Sequence, residues 1–154
     1  MYKPTPCSLA GILFAWVILA TGASAQSASE SAAAAVLAEG NALYTNSCSA
    51  CHLPDGKGIP NLAPALSGNP LLARDPALLI QIVLKGPAAV LPAGRPRYGS
   101  STMDSFYYKL DDDQVAAILT YVRRTFVKGD KSPPITPKDV AAVRTKIDPD
   151  KLNN

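Results

Sequence analysis

The chain has 154 residues, which is enough for one domain with its own core and too few for two. Its 15 basic and 12 acidic residues give a formal net charge of +3. This small excess argues against a dedicated nucleic-acid binder, which would carry a clustered basic face.

The first 25 residues have the pattern of a secretory signal. Lys3 gives a weakly basic start, Leu9 to Ala20 form the unbroken apolar run "LAGILFAWVILA", and the small residues "ASA" end at Ala25. The run is short for a membrane span. We therefore predict a cleavable signal over residues 1–25; because the basic region is weak, an uncleaved anchor is the alternative. Cys7 precedes the apolar run and would leave with the signal.

Export of the Gram-negative type would place the mature protein in the periplasm, where paired cysteines are normally disulfides. Once Cys7 is removed, Cys48 and Cys51 are the cysteines that remain. They are so close in sequence that a bond between them would close almost no loop and stabilise the fold very little. The two cysteines are therefore expected to have a chemical role rather than to stabilise the fold as a crosslink.

Residues 26–35 are of low complexity and form a lead-in to the first predicted helix, from about Ala32 to Ser47. Gly40 and Tyr44 lie on the same face of this helix because they are four residues apart. The helix delivers the chain directly into Cys48.

Two long stretches, residues 54–70 and 87–109, are rich in Pro, Gly and Ser and predict irregular structure. Such long loops inside a compact domain need something other than secondary structure to organise them. A large buried cofactor would do so.

Between these loops, Asp75 as N-cap, Pro76 in the first turn and Gly86 at the end delimit a short amphipathic helix. The next predicted helix runs from Asp111 to Phe126, and its first residues have the pattern of a capping box.

Thr136, Pro137 and Asp139 indicate the start of a further short helix in the tail. No segment alternates like a β-strand. The sequence thus predicts an all-α protein of three or four short helices, with its main domain over residues 36–128 and a tail over 129–154 that contains a short docking helix.

The motif "CSACH" places Cys48, Cys51 and His52 in the C-x-x-C-H pattern of covalent haem attachment. Two intervening residues let one turn span both thioether links, and the adjacent histidine is a ligand for the iron. A zinc site is an alternative, but it normally needs four ligands. A redox dithiol usually lies in a βαβ context, and a chance match is the third alternative.

A six-coordinate iron needs a second axial ligand, and Met103 is the candidate because the mature chain has no other methionine and no second histidine. A thioether is a soft ligand that raises the reduction potential. The alternative for Met103 is a core-filling side chain.

Other residues are predicted to support the haem. The carbonyl of Pro64 is the expected acceptor for the second ring N–H of His52, unless Pro64 only stiffens the loop. Arg95, Arg97 and Tyr98 are candidates to pair with the haem propionates; solvated surface residues are the alternative for these three.

Taken together, the residues from "GNALYTNSCSACHLPDGKGIPNLAPAL" through "STMDSFYYKLDDDQVAAILTYVRRTF" resemble a class I monohaem cytochrome c. The resemblance implies the class I fold, with three to four short helices wrapped around one covalently bound haem c. It implies Cys48, Cys51, His52, Pro64 and Met103 as the positions that hold the haem.

The resemblance also implies that the first and last helices of the domain cross at Gly40 and Tyr44, with Tyr121 on the other side. It implies a periplasmic single-electron carrier rather than an enzyme, which docks transiently on a redox donor and an acceptor protein. No nucleic acid and, after signal removal, no membrane span are expected.

The tail sequence "ITPKDVAAVR" is similar to cytochrome domains that serve periplasmic dehydrogenases or are fused to copper nitrite reductases. One residue departs from the family pattern: Asp104 follows Met103 where the family often has proline. This departure supports the rival hypothesis of a five-coordinate haem protein, either a gas sensor or a weak peroxidase.

Overall fold

The computed structural model describes residues 22–92 and 103–152. Within these ranges the chain forms five α-helices and no β-strand. The helices are α1 (Gly22–Ser47), α2 (Ser49–His52), α3 (Pro76–Lys85), α4 (Asp112–Phe126) and α5 (Pro137–Arg144), and short 3₁₀ turns lie at Pro70–Ala73, Pro87–Ala89 and Pro149–Lys151. The predicted all-α class is confirmed. None of the helices in these ranges is long and apolar enough to cross a bilayer.

α1 begins earlier than predicted, at Gly22 rather than near Ala32. Residues 28–35 are all exposed, so packing does not explain the extension. They are mostly alanine and serine without proline, and alanine has the highest intrinsic helix propensity. The low-complexity lead-in is therefore helical.

α1 and α4 cross at Gly40, as the resemblance implies. A Cβ atom at Gly40 would lie 2.3 Å from the carbonyl oxygen of Ala117 and 2.7 Å from Cβ of Tyr121. The two helices are therefore so close that no side chain larger than the hydrogen of glycine fits at position 40. Next to the crossing, the ring of Tyr44 is 1% exposed and lies 5.6 Å from the ring of Tyr121 and 5.5 Å from that of Phe126. These rings fill the space around the close approach.

The later helices begin where their local chemistry predicts. Asp75 accepts a hydrogen bond from the backbone of Ala77 at the start of α3. Asp111 and Gln114 form a complete capping box on α4. A second capping box, between Thr136 and Asp139, starts α5.

The hydrophobic core joins α1, α3, α4 and α5. In α5, Val140 is 0% exposed and Val143 is 9% exposed, so the predicted docking helix packs against the main domain. The buried members of the core are Tyr44, Leu72, Leu79, Ile80, Val83, Leu84, Leu110, Val115, Ala116, Ile118, Leu119, Val122, Phe126, Ile135, Val140 and Val143.

The irregular stretch after α2 is organised by its own backbone. The amide of Gly58 donates to the carbonyl of His52 at 2.9 Å, and the amide of Leu66 donates to the carbonyl of Gly56 at 2.7 Å. Ile59 and Ala63 exchange a pair of hydrogen bonds between them. The chain therefore folds back around His52, which is the feature that positions the site.

Candidate haem site

The C-x-x-C-H motif forms one helical turn. The amide of Cys48 donates to the carbonyl of Tyr44 at 2.8 Å, and the amide of His52 donates to the carbonyl of Cys48 at 2.9 Å. Cys48 is half-buried, Cys51 is exposed, and the two are not joined by a disulfide. The turn thus presents two thiols and one imidazole within five residues, and one of the thiols faces solvent.

The orientation of His52 is fixed by Pro64. The Nδ1 atom of His52 lies 3.0 Å from the backbone carbonyl oxygen of Pro64. Because a carbonyl only accepts, Nδ1 must carry the proton, which leaves a lone pair on Nε2. Nε2 makes no hydrogen bond to any residue that the structure describes. A neutral imidazole held in this way is the form that binds a metal.

Burial sets the protonation of the motif. It lowers the pKa of His52, and the hydrogen bond to Pro64 opposes this only in part. Burial, followed by the charge of Cys51, raises the pKa of the Cys48 thiol to about 11. Near neutral pH the imidazole and this thiol are therefore both uncharged.

Gly58 supports the carbonyl that holds His52, a role that the sequence did not reveal. Its φ is +68°, and a Cβ atom there would lie 2.4 Å from the carbonyl oxygen of Ala63 and 2.7 Å from that of Pro64. Positive φ favours glycine, and the contact excludes any side chain. The turn-rich sequence indicated an unusual backbone at Gly58 but not its contact with Pro64.

Met103 is half-buried and packs against the hydrophobic core. Its backbone lies close to the end of α3: a Cβ atom at Gly86 would be 2.9 Å from the Met103 carbonyl oxygen. Two residues after Met103, Ser105 Oγ donates to the carbonyl of Leu84 at 2.5 Å. The amide of Phe106 donates to the carbonyl of Val83 at 3.0 Å. These bonds anchor the segment after Met103.

Asp104, which replaces the proline common in the family, lies on the surface. Its carboxylate pairs with Lys109 at 3.2 Å, and both side chains are mostly exposed. The anchoring of Ser105 and Phe106 to α3 restrains the chain where the proline is missing.

The three residues predicted to hold the propionates, Arg95, Arg97 and Tyr98, lie outside the described residues. Of the other predicted site residues, the structure brings Cys48, Cys51, His52 and Pro64 together.

The described side chains fit a covalently attached haem. Two cysteines without a disulfide lie on one turn, and an imidazole beside them keeps its Nε2 lone pair. Met103 packs against the hydrophobic core, and its ligation of the iron remains a prediction. Among the described residues, histidine, cysteine, aspartate and glutamate do not gather in groups of three or more that could hold a metal ion. An all-α domain with this turn and these donors defines a c-type cytochrome.

Comparison with known proteins agrees. The cytochrome c family model matches residues 37–126, more than half of the chain. The chain therefore belongs to the cytochrome c family.

Several cytochrome c subunits of dehydrogenases are similar to it. The gluconate 2-dehydrogenase cytochrome c subunit of Pantoea cypripedii is 37% identical over 107 residues, which cover 68% of this chain and 24% of that protein. The cytochrome c subunit of the quinone alcohol dehydrogenase of Gluconobacter oxydans is 30% identical over 112 residues, covering 70% of this chain and 23% of the relative. The chain thus spans about a quarter of the length of these relatives.

Family membership confirms the class I fold and haem c as the cofactor, and it identifies the chain as an electron-transfer protein. Membership in the cytochrome c family therefore favours covalent haem attachment over the alternatives of a zinc site and a redox dithiol.

Proposed function

We propose that the chain is a periplasmic single-electron carrier with one haem c attached to Cys48 and Cys51 and ligated axially by His52 and Met103. The observation that carries the proposal is the hydrogen bond between His52 Nδ1 and Pro64, which places the proton on Nδ1 and leaves the Nε2 lone pair for a metal, immediately after the cysteine pair. When bound, the haem supplies one-electron chemistry between its ferric and ferrous states.

The residues of the chain have separate tasks in this proposal. Pro64 keeps the proton on Nδ1 of His52 and fixes the ring, which raises the basicity of the ligand. Met103 contributes a soft thioether, which favours the reduced iron. With His52 and Met103 both bound to the iron, no substrate would need to bind it, and the chain would serve to transfer electrons.

Replacement of Met103 tests this assignment. The ferric wild type is expected to show the methionine–iron charge-transfer band and to bind carbon monoxide slowly when reduced. Met103→Ala should lose the band and bind carbon monoxide quickly. Met103→His is the matched control, since it restores a sixth ligand without the band. A wild type that lacks the band and binds carbon monoxide as fast as Met103→Ala would favour the five-coordinate sensor or peroxidase.

We further propose that the electron donor is a dehydrogenase. The support is the similarity to proteins named as cytochrome c subunits of gluconate and alcohol dehydrogenases. Docking on donor and acceptor would be transient and of small area. If lysine and arginine side chains steer it, the second-order rate of haem reduction should change steeply with ionic strength. A rate that is independent of salt would contradict steering.

The export signal and the propionate contacts stay part of the proposal. Isolation of the haem protein from the periplasm should give Gln26 as its first residue; an intact Met1 in the membrane fraction would show an anchor instead. Arg95→Gln, Arg97→Gln and Tyr98→Phe should each change the reduction potential if they contact the propionates.

A further inference from the structure

Arg144, the last residue of α5, joins the C-terminal tail to the turn between Met103 and α4. Its Nη1 atom donates to the carbonyl of Tyr107 at 2.5 Å, and Nη2 donates to that of Leu110 at 2.9 Å. Nε donates to a carboxylate oxygen of Asp112 at 2.7 Å. One guanidinium thus serves three acceptors on the segment that leads from Met103 into α4.

The guanidinium is held in place itself. The Arg144 side chain is 19% exposed and its guanidinium carbon lies 5.1 Å from the centre of the Tyr107 ring. The helix that carries it is docked through the buried Val140 and Val143. Because the planar fork of arginine is preorganised for several acceptors at once, lysine cannot replace these contacts.

The turn therefore has two anchors on different parts of the fold. The end of α3 holds its first part through Ser105 and Phe106, and α5 holds its second part through Arg144. Without Arg144, the carbonyls of Tyr107 and Leu110 would lose these donors, and displacement of the segment would become easier.

We propose that Arg144 is a positioning residue that keeps Met103 at the iron by fixing the turn at residues 107–110. This inference rests on the ligation by Met103 proposed above. It gives the tail a role in the haem site, because α5 restrains the backbone that carries the ligand.

Imidazole competes with Met103 for the ferric iron and is the probe. Its apparent affinity depends on the fraction of molecules in which the methionine is displaced. Arg144→Gln should therefore bind imidazole about ten-fold more tightly than the wild type, as expected for a ten-fold larger displaced fraction. The amide hydrogens of Lys109 and Leu110, which both donate to the carbonyl of Phe106 within this segment, should exchange faster.

Arg124→Gln is the matched control. Arg124 also serves several acceptors with one guanidinium: it donates to the carbonyl of Asp130 at 2.6 Å and to that of Ser132 at 2.7 Å. Both acceptors lie in the segment that follows α4, whereas Met103 lies in the segment that precedes it. This variant should lose stability while its imidazole affinity stays at the wild-type value.

The outcomes separate the two claims. If Arg144→Gln binds imidazole no more tightly than the wild type, or if Arg124→Gln gains as much affinity, the positioning role is wrong. Should Arg144→Gln fail to fold, the same comparison with Arg144→Lys decides, because lysine keeps the charge near Asp112 but not the double contact with the turn. If Met103→Ala itself binds imidazole like the wild type, the ligation by Met103 is wrong, and the positioning role of Arg144, which rests on it, is wrong as well.

Discussion

The Nδ1 atom of His52 and the carbonyl oxygen of Pro64 are 3.0 Å apart although the residues are 12 positions apart in the sequence. Gly58 lies between them in the chain and packs so closely on the Pro64 carbonyl that a side chain cannot be accommodated. The position of the imidazole therefore depends on a backbone contact as well as on its own hydrogen bond.

Substitution of Gly58 tests this dependence. Gly58→Ala introduces a Cβ atom 2.7 Å from the Pro64 carbonyl oxygen at a φ of +68°. Positive φ alone costs a non-glycine residue about 1–2 kcal/mol, and overpacking adds roughly 1–3 kcal/mol. We expect urea unfolding of the haem protein to show the combined loss, together with a change in reduction potential as Pro64 moves.

Gly68→Ala is the control for Gly58→Ala. Gly68 has a similar φ of +70° but no atom within 4 Å of an added Cβ. This variant should therefore lose only the stability that the positive φ costs an alanine, and it should keep the wild-type reduction potential. Equal losses in the two variants would show that the contact with Pro64 has no effect.

The helix crossing predicts an unusual response to alanine. In an exposed helix, glycine to alanine stabilises by about 1 kcal/mol. Gly40→Ala should instead destabilise by about 1–3 kcal/mol, because the new Cβ atom would meet Ala117 and Tyr121. The free energy of unfolding measures this. Asn41→Ala, at the exposed neighbouring position, should change it by less than about 0.5 kcal/mol. A stabilised Gly40→Ala protein would contradict the crossing.

The hydroxyl of Tyr44 ties α1 to the residue after the haem motif. It donates to the carbonyl of Leu53 at 2.7 Å. Tyr44→Phe keeps the ring and removes this bond, so thermal unfolding should show a loss of about 1 kcal/mol. Tyr121→Phe is the comparison, since the Tyr121 hydroxyl makes no hydrogen bond to the described residues. If the two variants are equally stable, the bond to Leu53 does not contribute.

Asp130 predicts a pH dependence of stability. Burial alone would raise the pKa of this carboxyl, but hydrogen bonds from Ser132 and the charges of Arg123 and Arg124 outweigh burial and hold the pKa below its ordinary value. A carboxyl with a lowered pKa in the folded state stabilises above its unfolded pKa of about 4. This stabilisation is lost as the pH falls through the folded value.

Asp130→Asn should therefore cost roughly 1.5–3 kcal/mol at pH 7, and the difference from the wild type should shrink as the solution is acidified below the ordinary carboxyl pKa. Urea unfolding as a function of pH measures it. Asp150→Asn, at an exposed position, is the control and should follow the wild type throughout. A difference for Asp130→Asn that does not change with pH would exclude the carboxylate as its source.

Features encoded by neighbouring residues were predictable from the sequence. The capping boxes at Asp111 and Thr136 involve side chains three residues away, so the starts of α4 and α5 could be assigned without knowledge of the fold. The C-x-x-C-H turn is local for the same reason, and the partner of His52 was reached through the resemblance to a family and the chemistry of a metal-ligating imidazole.

Features that depend on distant packing were not predictable. Arg144 contacts Tyr107 from 37 positions away, and nothing in the composition of α5 distinguishes this arginine from a solvated one. The contact between Gly58 and the Pro64 carbonyl likewise depends on how the whole loop turns back. The early start of α1 has a different origin, because its exposed residues 28–35 are mostly alanine and serine and are helical through intrinsic propensity.

The attachment of one haem to Cys48 and Cys51 is the central claim, and the mass of the exported protein tests it most directly. After expression with a cytochrome maturation system, the wild type should carry the added mass of one haem through denaturation and stain for haem on a denaturing gel. A protein with Cys48 and Cys51 both replaced by serine should carry none. A wild type that has the mass of the bare chain, with both thiols free to react, would contradict the account.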